Sequence, residues 1–88
     1  MEIEWDPAKR TSNLAKHDID FLDCESVFSD PYAVTRDDRD HDEDRYTTMG
    51  VDDLGRLLVV ACTWCDEAIR LISARQATAS ERNHYPDP

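Results

Sequence analysis

A lysine and a histidine stand side by side in the segment NLAKHDIDF, Asn13 to Phe21, of a chain that is otherwise strongly acidic. Lys16 is one of two lysines, and His17 is one of three histidines. An imidazole titrates near neutral pH and can move protons, and a neighbouring ammonium group can stabilise negative charge. The same pair would also suit the end of a helix, where each cation gains about 0.3–1 kcal/mol from the helix dipole. The sequence leaves both interpretations open.

The cysteines suggest a second kind of chemistry. Cys62 and Cys65 have the CxxC spacing of zinc and redox sites. However, they end the apolar run LLVVACTWC, which predicts a strand, and residues three apart in a strand point to opposite faces. The odd total, with Cys24, also argues against a secreted disulfide framework. We therefore interpret the cysteines as small packing residues and predict no metal site and no cofactor.

The formal net charge of −10 limits the possible partners. Residues 1–35 carry three basic and eight acidic groups, residues 36–53 three and eight, and residues 54–88 four and four. The chain as a whole should repel nucleic acid, so RNA binding would require a local basic patch. With 14 Asp, 6 Glu, 2 Lys and 8 Arg, the composition is also the one expected of a salt-adapted protein.

Length and hydropathy predict one cytoplasmic domain over residues 1–88. No apolar run approaches the roughly 20 residues that span a bilayer, and the N-terminus lacks the basic and apolar regions of a signal peptide. We therefore expect no contact with a membrane.

The elements that must position these residues follow the order β-α-α-β-β-β-β-α. Asp6-Pro7 is typical of a helix start, and the motif TASE, residues 78–81, predicts a capping box on a C-terminal helix. The apolar run at residues 56–64 predicts a central strand that is buried on both faces. The remaining predicted elements are a possible strand at 2–5, helices at 7–17 and 21–28, strands at 32–36, 45–51 and 68–77, and a solvated acidic connector at 37–45. Helices before a hairpin-linked meander favour an α+β fold with an antiparallel sheet.

Several segments of the sequence together resemble one protein family. They are EWDPAKRTSNLAKHDIDF, VFSDP, RYTTMG, RLLVVACTW and RLISARQATASERNHY, and they cover nearly the whole chain in order. In this combination the chain resembles the BrnT toxins of bacterial type II toxin–antitoxin modules. In the turn after the central strand, where the family usually has a basic residue and a glycine, this chain has CDEA.

The resemblance implies a RelE-like fold with two N-terminal helices, an antiparallel meander of about four strands and a C-terminal helix. It further implies a small ribonuclease that cuts RNA and halts growth. Its expected partner is a BrnA-like ribbon-helix-helix antitoxin, through which alone the toxin would contact operator DNA.

RNA cleavage without a metal requires proton transfer at the 2′-hydroxyl and the leaving oxygen, and cations around the phosphate. We predict that His17, Lys16 and Arg75 are catalytic and that Lys9, Arg70 and Arg45 bind phosphate. Lys9 and Lys16 are seven apart and should share a helix face, whereas Arg70 and Arg75, five apart, should point to opposite faces of a regular strand.

Simpler roles stay open for most of these residues. Arg75 could pair structurally with Glu81, and Arg70 could be a solvated strand residue. Trp5 and Tyr85 are predicted to pack rather than to stack on bases. His41 and His84 are predicted to be surface residues. An alternative function is a catalytically weak toxin-fold protein that acts mainly as a binding module in a repressor complex.

Overall fold

The computed structural model describes residues 2–38 and 44–86. Its elements are β1 (Glu2–Glu4), α1 (Pro7–His17), a 3₁₀ turn (Phe21–Asp23), α2 (Glu25–Phe28), β2 (Val34–Asp38), β3 (Arg45–Val51), β4 (Leu57–Cys65), β5 (Ala68–Gln76) and α3 (Ala79–Arg82). His41 lies outside the described residues. Within the described ranges, no helix is long and apolar enough to cross a bilayer.

The sheet has five strands in the order β1-β5-β4-β3-β2. Strands β2 to β5 form the predicted antiparallel meander, whereas β1 pairs in parallel with β5. The sheet is therefore mixed: the predicted antiparallel pairing holds for β2 to β5 and not for β1. The parallel pair places Ile3 opposite Ile69, and both side chains pack in or against the core.

Helix α1 has its predicted bounds, because local signals fix both ends. The Asp6 carboxylate accepts a hydrogen bond from the N–H of Ala8 at 2.9 Å, and Pro7 occupies the first turn. At the other end Asp18 adopts a left-handed conformation, with φ of 58°, and its N–H bonds to the carbonyl of Leu14.

The predicted second helix is broken into a 3₁₀ turn and the short helix α2. Phe21, Cys24 and Val27 are all fully buried and are spaced by three residues. That spacing fits the three residues per turn of a 3₁₀ helix better than an α-helix. The C-terminal helix is also short, a single turn, but its predicted capping box between Thr78 and Glu81 is confirmed.

Strand β4 is the central strand, as predicted, and residues 57–60 are buried on both faces. Strand β2 runs two residues further than predicted, so Asp37 and Asp38 belong to it and not to the connector. They lie opposite Tyr46 and Arg45. Charged side chains of this kind protect an edge strand from unwanted pairing.

The core lies between one face of the sheet and the layer formed by α1, the 3₁₀ turn and α2. Trp5 packs edge-on against Phe21, with ring centroids 6.1 Å apart, which confirms its predicted packing role. Burial raises the pKa of Cys24 to about 12 and that of Cys62 to about 11, so both are neutral packing thiols. Cys65 lies on the opposite face and is partly exposed. We call this opposite face, away from α1 and α2, the open face.

Candidate functional site

A β-bulge at Ile72 decides which side chains of β5 reach the open face. Ser73 pairs with Ala61 and Leu71 pairs with Cys62, so Ile72 has no partner on β4. Arg70 lies opposite Thr63 and Arg75 opposite Val59. Thr63 and Val59 are four residues apart on β4, so the two arginines opposite them share a face of the sheet. Their main-chain positions are about 13 Å apart. The prediction that they point to opposite faces applied to a regular strand, and the bulge makes β5 irregular.

The register of β2 and β3 adds two more arginines to the open face. Arg36 lies opposite Thr47, which lies opposite Ala61, and Arg45 lies opposite Asp38. Between these arginines the face carries only small side chains, namely Thr47, Ala61, Thr63 and Ser73. Among the described residues, this set of four arginines, Arg36, Arg45, Arg70 and Arg75, forms what we call the arginine face.

Carboxylates accompany most of these arginines. The Arg75 guanidinium donates to both carboxylate oxygens of Glu81, at 2.7 and 2.9 Å, so the structural pair that the sequence left open as an alternative role for Arg75 is formed. This pair holds the pKa of Glu81 at about 2. Arg70 approaches Glu4 more loosely, with 3.4 Å between Nη2 and Oε1. A phosphate at Arg75 must therefore share or displace a bound carboxylate, whereas Arg70 is easier to recruit.

Lys9 joins Arg70 at the edge of the sheet. Both line a cavity of about 230 Å³, together with Glu4, Trp5, Asp6 and Leu71. The structure thus brings together two of the predicted phosphate-binding residues, one from α1 and one from β5.

Asn13 fixes α1 against the free edge of β5, a role that the sequence interpretation missed. Its side-chain amide donates to the carbonyls of Ile19 and Ala74, and its carbonyl oxygen accepts from the N–H of Ala74, all at 2.9 Å. The residue is buried. Because β1 pairs with β5 only at residues 68–70, the main-chain groups of Ala74 have no strand partner on that side, and the Asn13 side chain takes the place of one. Lys9 and Lys16 lie four before and three after Asn13, on the same side of the helix.

Lys16 and His17 lie in the last turn of α1, and both are exposed. Within the described ranges, no hydrogen bond or ion pair joins either side chain to the arginine face, and the cavity lined by Lys9 does not include them. The structure therefore keeps these two predicted catalytic residues in the helix layer, separate from Arg45, Arg70 and Arg75.

A second cavity brings together residues of three predicted strands, the capping-box glutamate and His84, which the sequence interpretation had assigned to the surface. It is lined by Val34, Arg36, Thr47, Met49, Val59, Glu81 and His84. His84 is exposed, as predicted, but α3 places it beside the open face. Arg36 could have been recognised from the alternation in VTR, whereas the position of His84 depends on how α3 folds back over the sheet.

The segment after α3 is tied to the sheet by Asp30. Its carboxylate accepts from the Tyr85 hydroxyl at 2.5 Å and from the N–H groups of Val51 and Tyr32 at 2.8 and 2.9 Å. Burial alone would raise the pKa of Asp30, but these three donors together lower it. Tyr85 therefore packs as a partly buried anchor, next to His84 in the chain.

Potential metal ligands do not gather in the described part of the chain, where no three side chains of His, Cys, Asp or Glu are placed to hold an ion. The side chains on the open face include arginine, histidine, hydroxyl, thiol and carboxylate groups.

Comparison with known proteins gives two findings. A family model described as "Ribonuclease toxin, BrnT, of type II toxin-antitoxin system" matches residues 5–81. The crystal structure of the ribonuclease toxin BrnT from Brucella abortus is similar at a TM-score of 0.66 and 30% sequence identity, over 89% of this chain and 97% of that chain. No curated protein matches the chain.

Proposed function

This chain belongs to the BrnT family of ribonuclease toxins of type II toxin–antitoxin systems, and we propose that it cleaves RNA bound on its arginine face. One observation carries the proposal. A chain with a net charge of −10 collects four arginines on the one sheet face that α1 and α2 leave open. Such a local patch is what RNA binding requires in a protein that is acidic overall.

In this proposal Arg45, Arg70 and Arg75 bind the phosphates, and Lys9 extends the site beside Arg70. The planar guanidinium group can donate two parallel hydrogen bonds to a phosphate. Cations at this position stabilise the charge that develops on phosphate as the 2′-hydroxyl attacks, so the reaction needs no metal. The small side chains between the arginines leave room for the backbone of the RNA.

His17 is the proposed proton-transfer group, with Lys16 stabilising negative charge next to it. Helix α1 runs beside the free edge of β5, since Lys9 lies near Arg70 and Asn13 bonds to Ala74. An RNA strand that leaves the arginine face across this edge would meet the last turn of α1. We therefore place the phosphate-binding arginines on one side of the β5 edge and His17 with Lys16 on the other.

A protein antitoxin is the partner that a type II family implies. We propose that it is a BrnA-like ribbon-helix-helix protein that neutralises the toxin in the cytoplasm. Operator-binding proteins with a β-ribbon read the DNA groove with their own strands. Contact with operator DNA would therefore pass through the antitoxin.

The carboxylates on the open face favour a second candidate function. Glu81 occupies Arg75, Glu4 lies near Arg70, and Asp38 lies opposite Arg45. If these pairs persist in the presence of RNA, the chain would bind its antitoxin but cut RNA weakly or not at all. It would then serve mainly as a binding module in a repressor complex.

Incubation of the purified protein with single-stranded RNA in excess EDTA separates the two functions. The nuclease proposal predicts cleavage that Lys16→Ala, His17→Ala and Arg75→Ala each reduce by at least tenfold. If the wild type cuts RNA and all three variants match it, the catalytic site lies elsewhere. Expression of the chain alone in bacteria adds a second readout, because a toxin arrests growth and a binding module does not.

A further inference from the structure

We propose that the cavity between Arg36 and His84 binds one unpaired nucleobase of the RNA. This inference rests on the proposed function, in that it names the form of RNA that the open face accepts. It concerns two residues that lie outside the set assigned to phosphate binding and proton transfer.

The floor of the cavity is apolar. Val34, Met49 and Val59 lie opposite one another on β2, β3 and β4, so they form a continuous row across three strands. The cavity has a volume of about 90 Å³ and opens to solvent. A row of this kind offers a flat surface to a planar ligand, and apolar pockets with a few polar groups are typical of small-molecule sites.

The rim carries the groups that recognise a base. Arg36 and His84 border the cavity, and both are exposed. In the part of the chain that the structure describes, neither side chain has a hydrogen bond or an ion pair. Unpaired bases in RNA stack on histidine rings and on guanidinium planes. The hydroxyl of Thr47 supplies a donor and an acceptor at the same rim.

Neighbouring groups give the cavity a phosphate site and a fixed wall. Arg75 lies opposite Val59 and continues the floor row onto β5. A nucleotide with its base on Met49 and Val59 therefore has a cation within one strand spacing for its phosphate, which shares the Arg75 guanidinium with Glu81. Glu81, the wall on the α3 side, is held by Arg75 and by the N–H of Thr78 at 2.9 Å.

The geometry selects for single strands. A base in a duplex has its edge paired and its faces stacked, so it cannot lie on the sheet surface between two side chains. The anchor from Tyr85 to Asp30 holds the segment that carries His84, so this side of the cavity is formed before RNA arrives. The substrate class is thus RNA with at least one unpaired, unstacked nucleotide.

Binding of the four nucleoside 5′-monophosphates tests the inference without any need for cleavage. Methyl resonances of Val34, Met49 and Val59 should shift with at least one monophosphate and not with ribose 5-phosphate. His84→Ala and Arg36→Gln should each weaken that binding by about fivefold or more, since stacking on one side chain contributes about 1–3 kcal/mol. Arg10→Gln, in the helix layer, is the matched control for the lost charge and should bind as the wild type does.

Equal shifts with ribose 5-phosphate, or unchanged binding by both variants, would overturn the base site. The outcomes for cleavage are separate. A protein that cuts RNA but fails the monophosphate test keeps the proposed function and loses this cavity. A protein that binds monophosphates at the three methyl groups but never cuts RNA keeps the cavity and loses the nuclease proposal.

Discussion

Arg70 and Arg75 are five residues apart in β5, yet their side chains lie on the same face of the sheet because Ile72 forms a bulge between them. A regular strand would have directed one arginine toward the α-helices and the other away from them. The bulge keeps the buried positions Leu71 and Ala74 in the core while it adds a second cation to the open face. Core packing and the proposed RNA site therefore depend on the same irregularity.

The buried amide of Asn13 should contribute strongly to stability. Asn13→Ala leaves the N–H and carbonyl of Ala74 without their partner, and we expect the free energy of unfolding to fall by about 2–4 kcal/mol. Ser12→Ala, at the neighbouring exposed position, should change it by less than about 0.5 kcal/mol. Urea denaturation measures both. Equal small effects would mean that water replaces the Asn13 side chain.

The pair formed by Arg75 and Glu81 should make stability depend on pH. The pKa of Glu81 is about 2 in the folded chain, below the ordinary value of 4.5 that applies to the unfolded chain. Because the folded value is the lower one, the contribution is complete above about pH 5 and is lost as the pH falls toward 2. Solvent screening limits it to about 1 kcal/mol or less.

Thermal denaturation of wild type and Glu81→Gln between pH 2 and 7 checks this dependence. The difference in Tm should be largest near neutrality and vanish at the acidic end. Glu67→Gln, in the exposed turn between β4 and β5, should show no such trend. A difference between wild type and Glu81→Gln that stays constant with pH would contradict the ion-pair account.

The three thiols should differ in reactivity. Cys24 and Cys62 are buried, with pKa values raised to about 12 and 11, whereas Cys65 is partly exposed. Maleimide labelling of the native protein at pH 7 should therefore modify Cys65 alone, and slowly, because hydrogen bonding to Glu4 raises its pKa. Mass spectrometry after digestion identifies the labelled residue. Rapid labelling of Cys62 would show that β4 opens readily.

Salt adaptation predicts that added salt stabilises the fold. Self-repulsion from a net charge of −10 is screened as the Debye length falls from about 10 Å at 0.1 M to 3 Å at 1 M salt. The Tm should therefore rise between 0.1 and 1 M sodium chloride. Chloride is the suitable anion, because sulfate would strengthen apolar burial in any protein. A flat response would count against adaptation to salt.

Local sequence signals were enough to predict the parts of the fold that local interactions determine. Asp6 and Pro7 fix the start of α1, Thr78 and Glu81 form the capping box, and the apolar run at 57–60 fixes the central strand. The parallel pairing of β1 could not be predicted, because it joins Ile3 to a residue at position 69. Burial of every third residue from Phe21 to Val27 fits a 3₁₀ turn. An amphipathic α-helix has a similar spacing of apolar residues, so the sequence alone favoured a continuous helix.

The candidate site was predicted only in part for a related reason. The identity of the arginines was available from the sequence, but their common face depends on the bulge at Ile72 and on the register of β2. Long-range contacts also explain why Asn13 and His84 were missed. Asn13 bonds to Ala74, and His84 lines a cavity together with Val34. The pattern around each residue gives no sign of these partners.

The central claim, that RNA is cut on the arginine face, is tested most directly by the cleavage rate of Arg45→Gln/Arg70→Gln on single-stranded RNA in EDTA. The matched control is Arg10→Gln, whose side chain pairs with Asp20 in the helix layer. We predict that the double variant loses at least 100-fold in rate, as expected for two lost charge-assisted phosphate contacts at about 1.5–3 kcal/mol each. The control should stay within about threefold of the wild type. Equal rates for the double variant and the control would contradict the account.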